Sequence, residues 1–247
     1  GLIGERGREV QEFIDETLDD ETRAKTIIIA STSDEAANSR VFAALTATRI
    51  AEYFRDQGLD VLLQIDSLTR LMRAYREIGL SAGEIPVRRG YPPSVFAELP
   101  RIIERAGNTN LGSITAIYTV LLSSDLDEDP MVEEVKGLTD GHILLSRSLA
   151  ERGQYPAINV LASISRLANK LNDTEQKQAC CLLRAALATC EKDRDLVSIS
   201  QHVSAELQNV LQLEKEIENF LLQSSLEVTD INETRSKLLQ LAASYDC

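Results

Sequence analysis

An aspartate at the end of a short apolar stretch, Asp66, is the residue of this sequence best placed to do chemistry. The stretch before it, Val61–Ile65, is mostly apolar without alternation, which is typical of a central parallel strand. The carboxyl end of such a strand opens onto the ligand crevice of an open α/β sheet. A carboxylate there can hold a magnesium ion that bridges nucleotide phosphates. The alternative is an aspartate that caps the following helix, and the stretch alone does not decide between the two.

A second group of charges opens the chain, in the run Gly4-Glu5-Arg6-Gly7-Arg8-Glu9. We interpret the first residues as the end of a strand that passes through glycines into an amphipathic helix containing Val10 and Phe13. Glu5 and Arg6 then lie at a strand-to-helix turn, where side chains of an open α/β sheet face the crevice. A run of this composition is also typical of an ordinary charged helix start.

The segments between these charges predict the elements that position them. Thr26–Ala30 is a β-branched strand, and Ser31–Asp34 follows as a turn and helix cap. Helical periodicity extends from Ala36 to Gln57, where Gly58 stops it. The strand that ends at Asp66 comes next. This alternation predicts a parallel sheet with helices on both faces.

The alternation continues after a helix that we expect to end at Ile78. Gly79–Pro93 is rich in glycine and proline and predicts a long loop, which is either functional or a surface connection. Its paired arginines either meet an acidic partner or are solvated. Further elements are predicted in this order: a helix over Ser94–Ala106, a strong strand over Ser113–Leu122 and a strand over Gly141–Ser146.

Strand signals end near Leu171. Asn172–Glu175 predicts a capping box that starts a helix through about Cys190, and Asp230–Glu233 caps a last helix. Between them lies a long amphipathic helix marked by Val203, Leu207, Val210, Leu211, Ile217 and Leu221. We therefore predict an α/β domain over residues 1–171 and an all-α domain over residues 172–247.

The composition excludes several classes of protein. A chain of 247 residues that is 43% hydrophobic can bury a real core, and no apolar run approaches the ~20 residues that span a bilayer. We expect a soluble, cytoplasmic protein. The formal charge of -13 disfavours binding to nucleic acid.

Cysteine and histidine usage gives no sign of a metal centre. The cysteines are Cys180, Cys181, Cys190 and Cys247. Because they show no C-x-x-C spacing, we expect free thiols rather than a zinc site or a disulfide framework. The two histidines are far apart in sequence, and we interpret His142 as structural.

Taken together, these stretches resemble the C-terminal two-thirds of the flagellar and type III secretion export ATPases, which are relatives of the catalytic subunit of rotary ATP synthases. The resemblance lies in the following runs: Gly4–Glu9, Asp66–Arg70, Arg76–Leu80, Arg88–Ser94, Gly112–Ala116, Asp140–His142, Tyr155–Ile158 and Ser165–Arg166. It covers residues 1–169 and is thin beyond Asn172. It implies a RecA-like fold, with ATP and Mg²⁺ as cofactors.

The resemblance also implies roles for the charged residues. Glu5 is then the general base, or the carboxylate that orients water, for attack on the γ-phosphate. Glu9 and Asp66 are implied to bind Mg²⁺ directly or through water, with Arg6 supporting catalysis and Arg70 supporting the bound nucleotide.

The resemblance implies roles for two further residues, one at the adenine base and one at the active site of the neighbouring subunit. Tyr155 is implied to be the aromatic wall for adenine. Arg166 matches the arginine finger, which reaches a neighbour's site and stabilises charge on the transferring phosphoryl group. Since one chain carries both Glu5 and Arg166, we expect a ring of identical subunits, a homohexamer.

One feature of the family is missing from the sequence. No G-x-x-x-x-G-K-[ST] phosphate-binding loop occurs in the 247 residues. We therefore expect a piece of a longer protein, with an incomplete sheet that lacks the P-loop strand and has a gap or an unprotected edge. Such a piece alone is not expected to hydrolyse ATP.

The function that the resemblance implies is ATP hydrolysis that energises protein export. The implied partners are the central stalk and stator proteins of the export apparatus, export chaperones and their substrates, at the inner membrane. One alternative is a rotary ATP synthase-type or Rho-like subunit, although the charge of -13 disfavours translocation along RNA. A non-catalytic scaffold is another.

Overall fold

The computed structural model describes residues 1–122, 129–197 and 215–245. They belong to two compact units, Gly1–Thr139 and Asp140–Cys247. The predicted domain boundary near Leu171 lies inside the second unit and stays a prediction.

The first unit is a sheet with helices between its strands. Its elements are β1 (Leu2–Glu5), α1 (Gly7–Glu12), a π-helical segment (Phe13–Thr17), α2 (Asp20–Ala24), β2 (Ala30–Thr32), α3 (Ala37–Asp56), β3 (Asp60–Ile65), α4 (Leu68–Ser81), α5 (Pro93–Ile103), β4 (Gly107–Asn108), β5 (Ser113–Tyr118) and α6 (Pro130–Leu138).

The sheet is mostly parallel. β1 pairs in parallel with β2, and β3 pairs in parallel with β5 from Asp60 opposite Ser113 to Ile65 opposite Tyr118. β1 joins the other side of β3 just past its end, where Ile3 N donates to Asp66 O at 2.5 Å. The strand that leads to Asp66 is therefore central and parallel, as predicted.

The edge of β5 away from β3 is mostly open. The short antiparallel strand β4 pairs only with the first two residues of β5, Ser113 and Ile114. Beyond Ile114, the described part of the chain supplies no partner strand on this edge. The sheet thus has the unprotected edge that the sequence predicted.

Helices cover one face of the central strands. Ile3, Ile65, Leu71, Met72 and Leu99 are fully buried in the core that this face forms with α3, α4 and α5. On the opposite face Leu62 is 59% exposed and Ile117 is 53% exposed. The prediction of helices on both faces is therefore wrong for the described residues, although both faces of β3 carry apolar side chains.

The observed ends of several elements differ from the predicted ones, because strand pairing sets them rather than the intrinsic propensity of the residues. β2 begins at Ala30 instead of Thr26, since its register starts with Leu2 opposite Ala30. α3 begins at Ala37 with Ala36 as a cap that makes no side-chain hydrogen bond, so the predicted cap within Ser31–Asp34 is wrong.

Two further segments also differ from the predicted pattern. α4 continues through Gly79 to Ser81, so the predicted loop starts later. β5 ends at Tyr118 rather than Leu122.

The second unit combines a short ribbon with helices. Its elements are β6 (Gly141–His142), α7 (Arg147–Glu151), β7 (Ile164–Ser165), α8 (Ala168–Leu171), α9 (Thr174–Val197), a helical stretch at residues 215–221 and α10 (Ile231–Tyr245). β6 and β7 pair antiparallel. A small core of Ala179, Leu183, Ala186, Ile217 and Ala242 lies between the helices. The all-α character predicted after Leu171 holds for the described residues.

Side-chain caps fix the starts of α9 and α10 in this unit. The capping box of α9 is formed by Asp173 and Gln176, with hydrogen bonds of 2.8 and 3.3 Å, one residue later than the predicted Asn172–Glu175. α10 starts where predicted, because Asp230 Oδ1 accepts from Asn232 N at 2.8 Å. α9 runs past Cys190 to Val197.

The structure describes two of the predicted free thiols and the surroundings of His142. Cys180 and Cys181 are free thiols. His142 is half-buried, and its Nε2 makes a hydrogen bond with Ala162 O at 3.1 Å. The predictions for residues 203–211, His202 and Cys247 lie outside the described residues. Among the described helices, none has the length and apolar character needed to cross a bilayer.

We predict that Leu71→Ala lowers the free energy of unfolding of this chain by about 3 kcal/mol, because a fully buried leucine loses its contacts and leaves a cavity. Leu62→Ala, on the exposed face of β3, is the matched control and should cost less than about 1 kcal/mol. Urea denaturation followed by circular dichroism measures both. Equal losses for the two variants would contradict this assignment of the core.

Candidate functional site

The pairing of β1 next to residue 66 brings two acids to one edge of the sheet. Leu2 lies opposite Asp66, with Asp66 N donating to Gly1 O at 2.8 Å. β1 runs parallel to β3 and ends at Glu5. The charge of Asp66 acts on the Glu5 carboxyl, so the two acids predicted from the sequence share one site.

The helix that follows Asp66 supplies the cation of the site. Ser67 Oγ accepts from Arg70 N at 3.3 Å and caps α4, so the alternative role of Asp66 as the helix cap is not observed. From the first turn of α4, Arg70 Nη1 lies 2.6 Å from Glu5 Oε2. The same nitrogen donates to Gly4 O at 2.5 Å. Arg70 therefore fixes both the carboxylate of Glu5 and the backbone just before it.

Glycine is required at position 4 for this contact. Gly4 has φ +72°, which side chains rarely adopt, and a Cβ there would lie 3.2 Å from both Cβ and Cδ of Arg70. A larger residue would displace the arginine from Glu5. The glycine noted in the sequence thus permits the close approach of α4 to the end of β1.

The pKa of Glu5 depends on its burial and on the charges around it. Burial raises the pKa of Glu5 above its ordinary value, and a hydrogen bond with Glu9 and the charge of Asp66 act in the same direction, whereas Arg70 opposes them. The hydrogen bond with Glu5 in turn lowers the pKa of Glu9. The two pKa values are therefore shifted in opposite directions, with Glu5 as the more basic member.

The carboxylates suit Mg²⁺ when phosphates complete its coordination. No group of three or more metal-ligating side chains able to hold an ion occurs among the described residues. Mg²⁺ is usually held by one or two carboxylates together with waters and substrate phosphates. Asp66 and Glu9 stay the predicted carboxylates of such a site, and a cation there would offset the charge of Asp66 that acts on Glu5.

Arg6 lies at the exposed rim of the site. Its side chain is 70% exposed, and its Nη1 lies 3.8 Å from Glu9 Oε1. It contributes positive charge at the rim through Glu9. Its predicted support of catalysis remains a prediction.

Arg40 of α3 is a cation beside the site that the sequence analysis did not single out. Its Nη2 lies 2.7 Å from Glu77 Oε2, and its side chain is only 15% exposed. Its Cδ lies 3.6 Å from the position of a Cβ on Gly4. Its buried Nε has no hydrogen-bond partner among the described residues. The sequence feature that could have revealed Arg40 is its place in the first turn of α3, a helix whose buried residues are mostly alanines.

The other two predicted site residues belong to the second unit. The Tyr155 ring is 58% exposed, and Tyr155 O accepts from Gln223 N at 3.0 Å. Arg166 follows β7 directly and is exposed, with its backbone N donating to Asp140 O at 2.7 Å. The roles of these two residues at the site of Glu5 stay predictions.

A sheet that carries acids at the carboxyl ends of parallel strands is the nucleotide-binding arrangement of open α/β folds. Residues 1–165 of this 247-residue chain match the sequence pattern of the ATP synthase alpha/beta family, nucleotide-binding domain. The chain therefore belongs to that family.

Two curated proteins are similar to this chain over most of its length. The chain is 48% identical over 243 residues to the flagellum-specific ATP synthase of Treponema pallidum, covering 97% of this chain and 54% of that protein. It is 54% identical over 201 residues to the type 3 secretion system ATPase of Xanthomonas euvesicatoria, covering 81% of this chain and 46% of that protein. The chain thus spans about half the length of these curated relatives.

A solved structure has the same fold. The assembled ATPase EscN of the enteropathogenic E. coli type III secretion system, in complex with its central stalk EscO, matches with a TM-score of 0.89 and 43% identity. The match covers 98% of this chain and 58% of EscN. The resemblance found in the sequence is confirmed, and so is the mixed α/β fold followed by helices.

We predict that Arg70→Met raises the pKa of Glu5 further, because the positive charge that opposes burial is removed. A carboxyl whose pKa is raised by folding binds its proton more tightly in the folded state, so its contribution to stability falls as pH rises through that pKa. An NMR titration of the Glu5 carboxyl carbon in this chain measures the shift. Arg73→Met, at an exposed position of α4, is the control and should leave the titration unchanged. A lower pKa in Arg70→Met would contradict the arrangement.

Proposed function

We propose that this chain carries most of the catalytic domain of an ATPase that energises protein export through a flagellar or type III secretion apparatus. The observation that carries the proposal is the cluster of Glu5, Arg70 and Asp66 at the carboxyl ends of β1 and β3. The cluster occurs in a chain that is about half identical to export ATPases of both kinds.

Glu5 is the group that acts on the attacking water. The ion pair with Arg70 at 2.6 Å holds its carboxylate in one direction, so an oriented water meets an oxygen of fixed position. A pKa raised by burial makes this carboxylate a stronger base than an ordinary glutamate. Mg²⁺, when bound with ATP, supplies charge neutralisation of the phosphates. Asp66 and Glu9 are the carboxylates that would hold it.

The second unit supplies the aromatic ring that contacts adenine and the arginine finger. The exposed ring of Tyr155 is suited to stack on adenine, which gives affinity without much selectivity. Arg166 acts on the active site of the next subunit, where its guanidinium stabilises charge on the transferring phosphoryl group. The working state is a homohexamer, because head-to-tail contacts between identical subunits close into a ring.

The whole protein, not this chain alone, performs the reaction. This sequence does not contain the phosphate-binding loop. The backbone amides and the lysine that cradle the phosphates are therefore supplied by another part of the complete protein. The partners are a central stalk, as for EscN, together with stator proteins, export chaperones and their substrates. We place the ring on the cytoplasmic side of the inner membrane, peripheral to the export apparatus.

In the complete protein, Glu5→Gln should abolish steady-state ATP hydrolysis while nucleotide binding is retained, because the amide keeps its size but cannot accept a proton. Arg166→Ala should lower the rate by about 10³-fold or more, as expected for an arginine finger. Lys170→Ala in α8 removes a positive charge nearby and should leave the rate unchanged. Phosphate release and a fluorescent nucleotide measure the two properties. Full turnover in Glu5→Gln would remove the proposed base.

The complete protein with nucleotide should assemble into a ring of six identical subunits, since each protomer carries both the carboxylate and the finger. Multi-angle light scattering over a range of protein concentrations measures the mass of the particle. The Arg166→Ala variant tests whether the finger contributes to assembly as well as to catalysis. A monomer at the highest concentration would contradict the proposal.

A further inference from the structure

The segment that leads to Arg166 is held in place by a set of hydrogen bonds. Asn159 Oδ1 accepts from Ala162 N at 2.9 Å. Ser163 Oγ donates to Asn159 O at 2.6 Å and accepts from Leu144 N at 2.9 Å. His142 Nε2 contacts Ala162 O at 3.1 Å. The residues before β7 therefore form a loop whose conformation is fixed by hydrogen bonds.

The middle of this loop is held from outside, by an arginine of the long helix α9. Arg184 Nη1 donates to Val160 O at 2.6 Å, and Arg184 Nη2 donates to Leu161 O at 2.9 Å. A guanidinium presents these donors in a rigid planar fork, so the two carbonyls are fixed relative to each other. Hydrogen bonds from a charged donor are stronger than neutral ones.

The base of Arg184 is itself fixed by packing. The residue before it, Leu183, is 5% exposed in the small core of the second unit. Ala186, on the next part of the same helix, belongs to that core together with Ile217 and Ala242. The guanidinium therefore extends from a helix that is anchored against the other helices of the unit. A rigid connection runs from this helical core to the loop before Arg166.

We infer that Arg184 is a positioning residue for Arg166: it sets the conformation of residues 160–161, and through them the place at which the finger is presented. The inference rests on the proposed role of Arg166 as a finger that completes the neighbour's site. It makes the helical core of one subunit a support for catalysis in the next subunit. A partner that displaces α9 would then alter hydrolysis in the neighbouring site.

The competing role is support of the subunit's own nucleotide site. Residues Ile158–Leu161 follow Tyr155 closely in sequence, so loss of Arg184 could act on the ring that is proposed to bind adenine in the same subunit. The two roles differ in the active site that is affected. Mixed rings distinguish them, because the carboxylate and the finger of one active site come from different subunits.

The first measurement uses the complete protein with a single substitution. Arg184→Ala should lower kcat by about 10-fold, the effect expected when strong hydrogen bonds that position a catalytic group are lost, while KM for ATP changes less than about 2-fold. Lys177→Ala, an exposed cation on α9, is the matched control and should leave both parameters unchanged. A rise in KM without a fall in kcat would overturn the inference.

The decisive measurement mixes two kinds of impaired subunit and follows single-turnover ATP hydrolysis. Glu5→Gln subunits mixed with Arg166→Ala subunits should recover activity, because an intact carboxylate then meets an intact finger. Arg184→Ala mixed with Glu5→Gln should recover activity in the same way. Arg184→Ala mixed with Arg166→Ala should not exceed the residual rate of Arg184→Ala alone, because no subunit in this mixture presents a correctly positioned finger.

The opposite pattern would overturn the inference. If Arg184→Ala recovers activity with Arg166→Ala but not with Glu5→Gln, Arg184 supports its own subunit's site. If Glu5→Gln and Arg166→Ala fail to complement each other, the proposed action of Arg166 on the neighbour has failed first, and the two failures are distinct. Should Arg184→Ala rings not assemble, Arg184→Gln, which keeps a polar side chain without the charge or the fork, takes its place in the same mixtures.

Discussion

The structure of this chain depends on one backbone contact, the pairing of β1 with residue 66. Ile3 N donates to Asp66 O, and Asp66 N donates to Gly1 O. Because the two strands are parallel, this pairing brings both of their carboxyl ends to the same edge of the sheet. Glu5, Asp66 and the first turn of α4 then have to meet there. A shift of one residue would turn Glu5 to the other face of the sheet.

The charges assembled by that pairing are unbalanced, and this is what makes the site suited to its chemistry. The carboxyls of Glu5 and Glu9 interact with Arg70, which is bonded to Glu5 and to the backbone of Gly4, and the charge of Asp66 also acts on Glu5. The raised pKa of Glu5 shows that Arg70 does not compensate for burial and its acidic neighbours. A divalent cation would offset the excess negative charge of these carboxylates. Without a cation, their repulsion costs stability.

The sequence was sufficient to predict where the main strands lie along the chain, the central place of the Asp66 strand and the common edge of Glu5 and Asp66. Their apolar runs and end residues are local features. The bare face of β3 was not predictable, because the apolar character of Leu62 does not tell which element covers it. Arg40 and Arg184 were missed for a related reason, since their partners are set by tertiary contacts that leave no spacing pattern.

The central claim is that Glu5 and Asp66 serve one triphosphate and its metal. A structure of the complete protein with Mg²⁺ and a non-hydrolysable ATP analogue tests it most directly. The account predicts an Asp66 oxygen about 2.0–2.1 Å from Mg²⁺, or hydrogen-bonded to a water on the ion, with Glu5 and an ordered water beside the γ-phosphate. A γ-phosphate and metal bound away from both carboxylates, with Arg70 still closing the site, would contradict it.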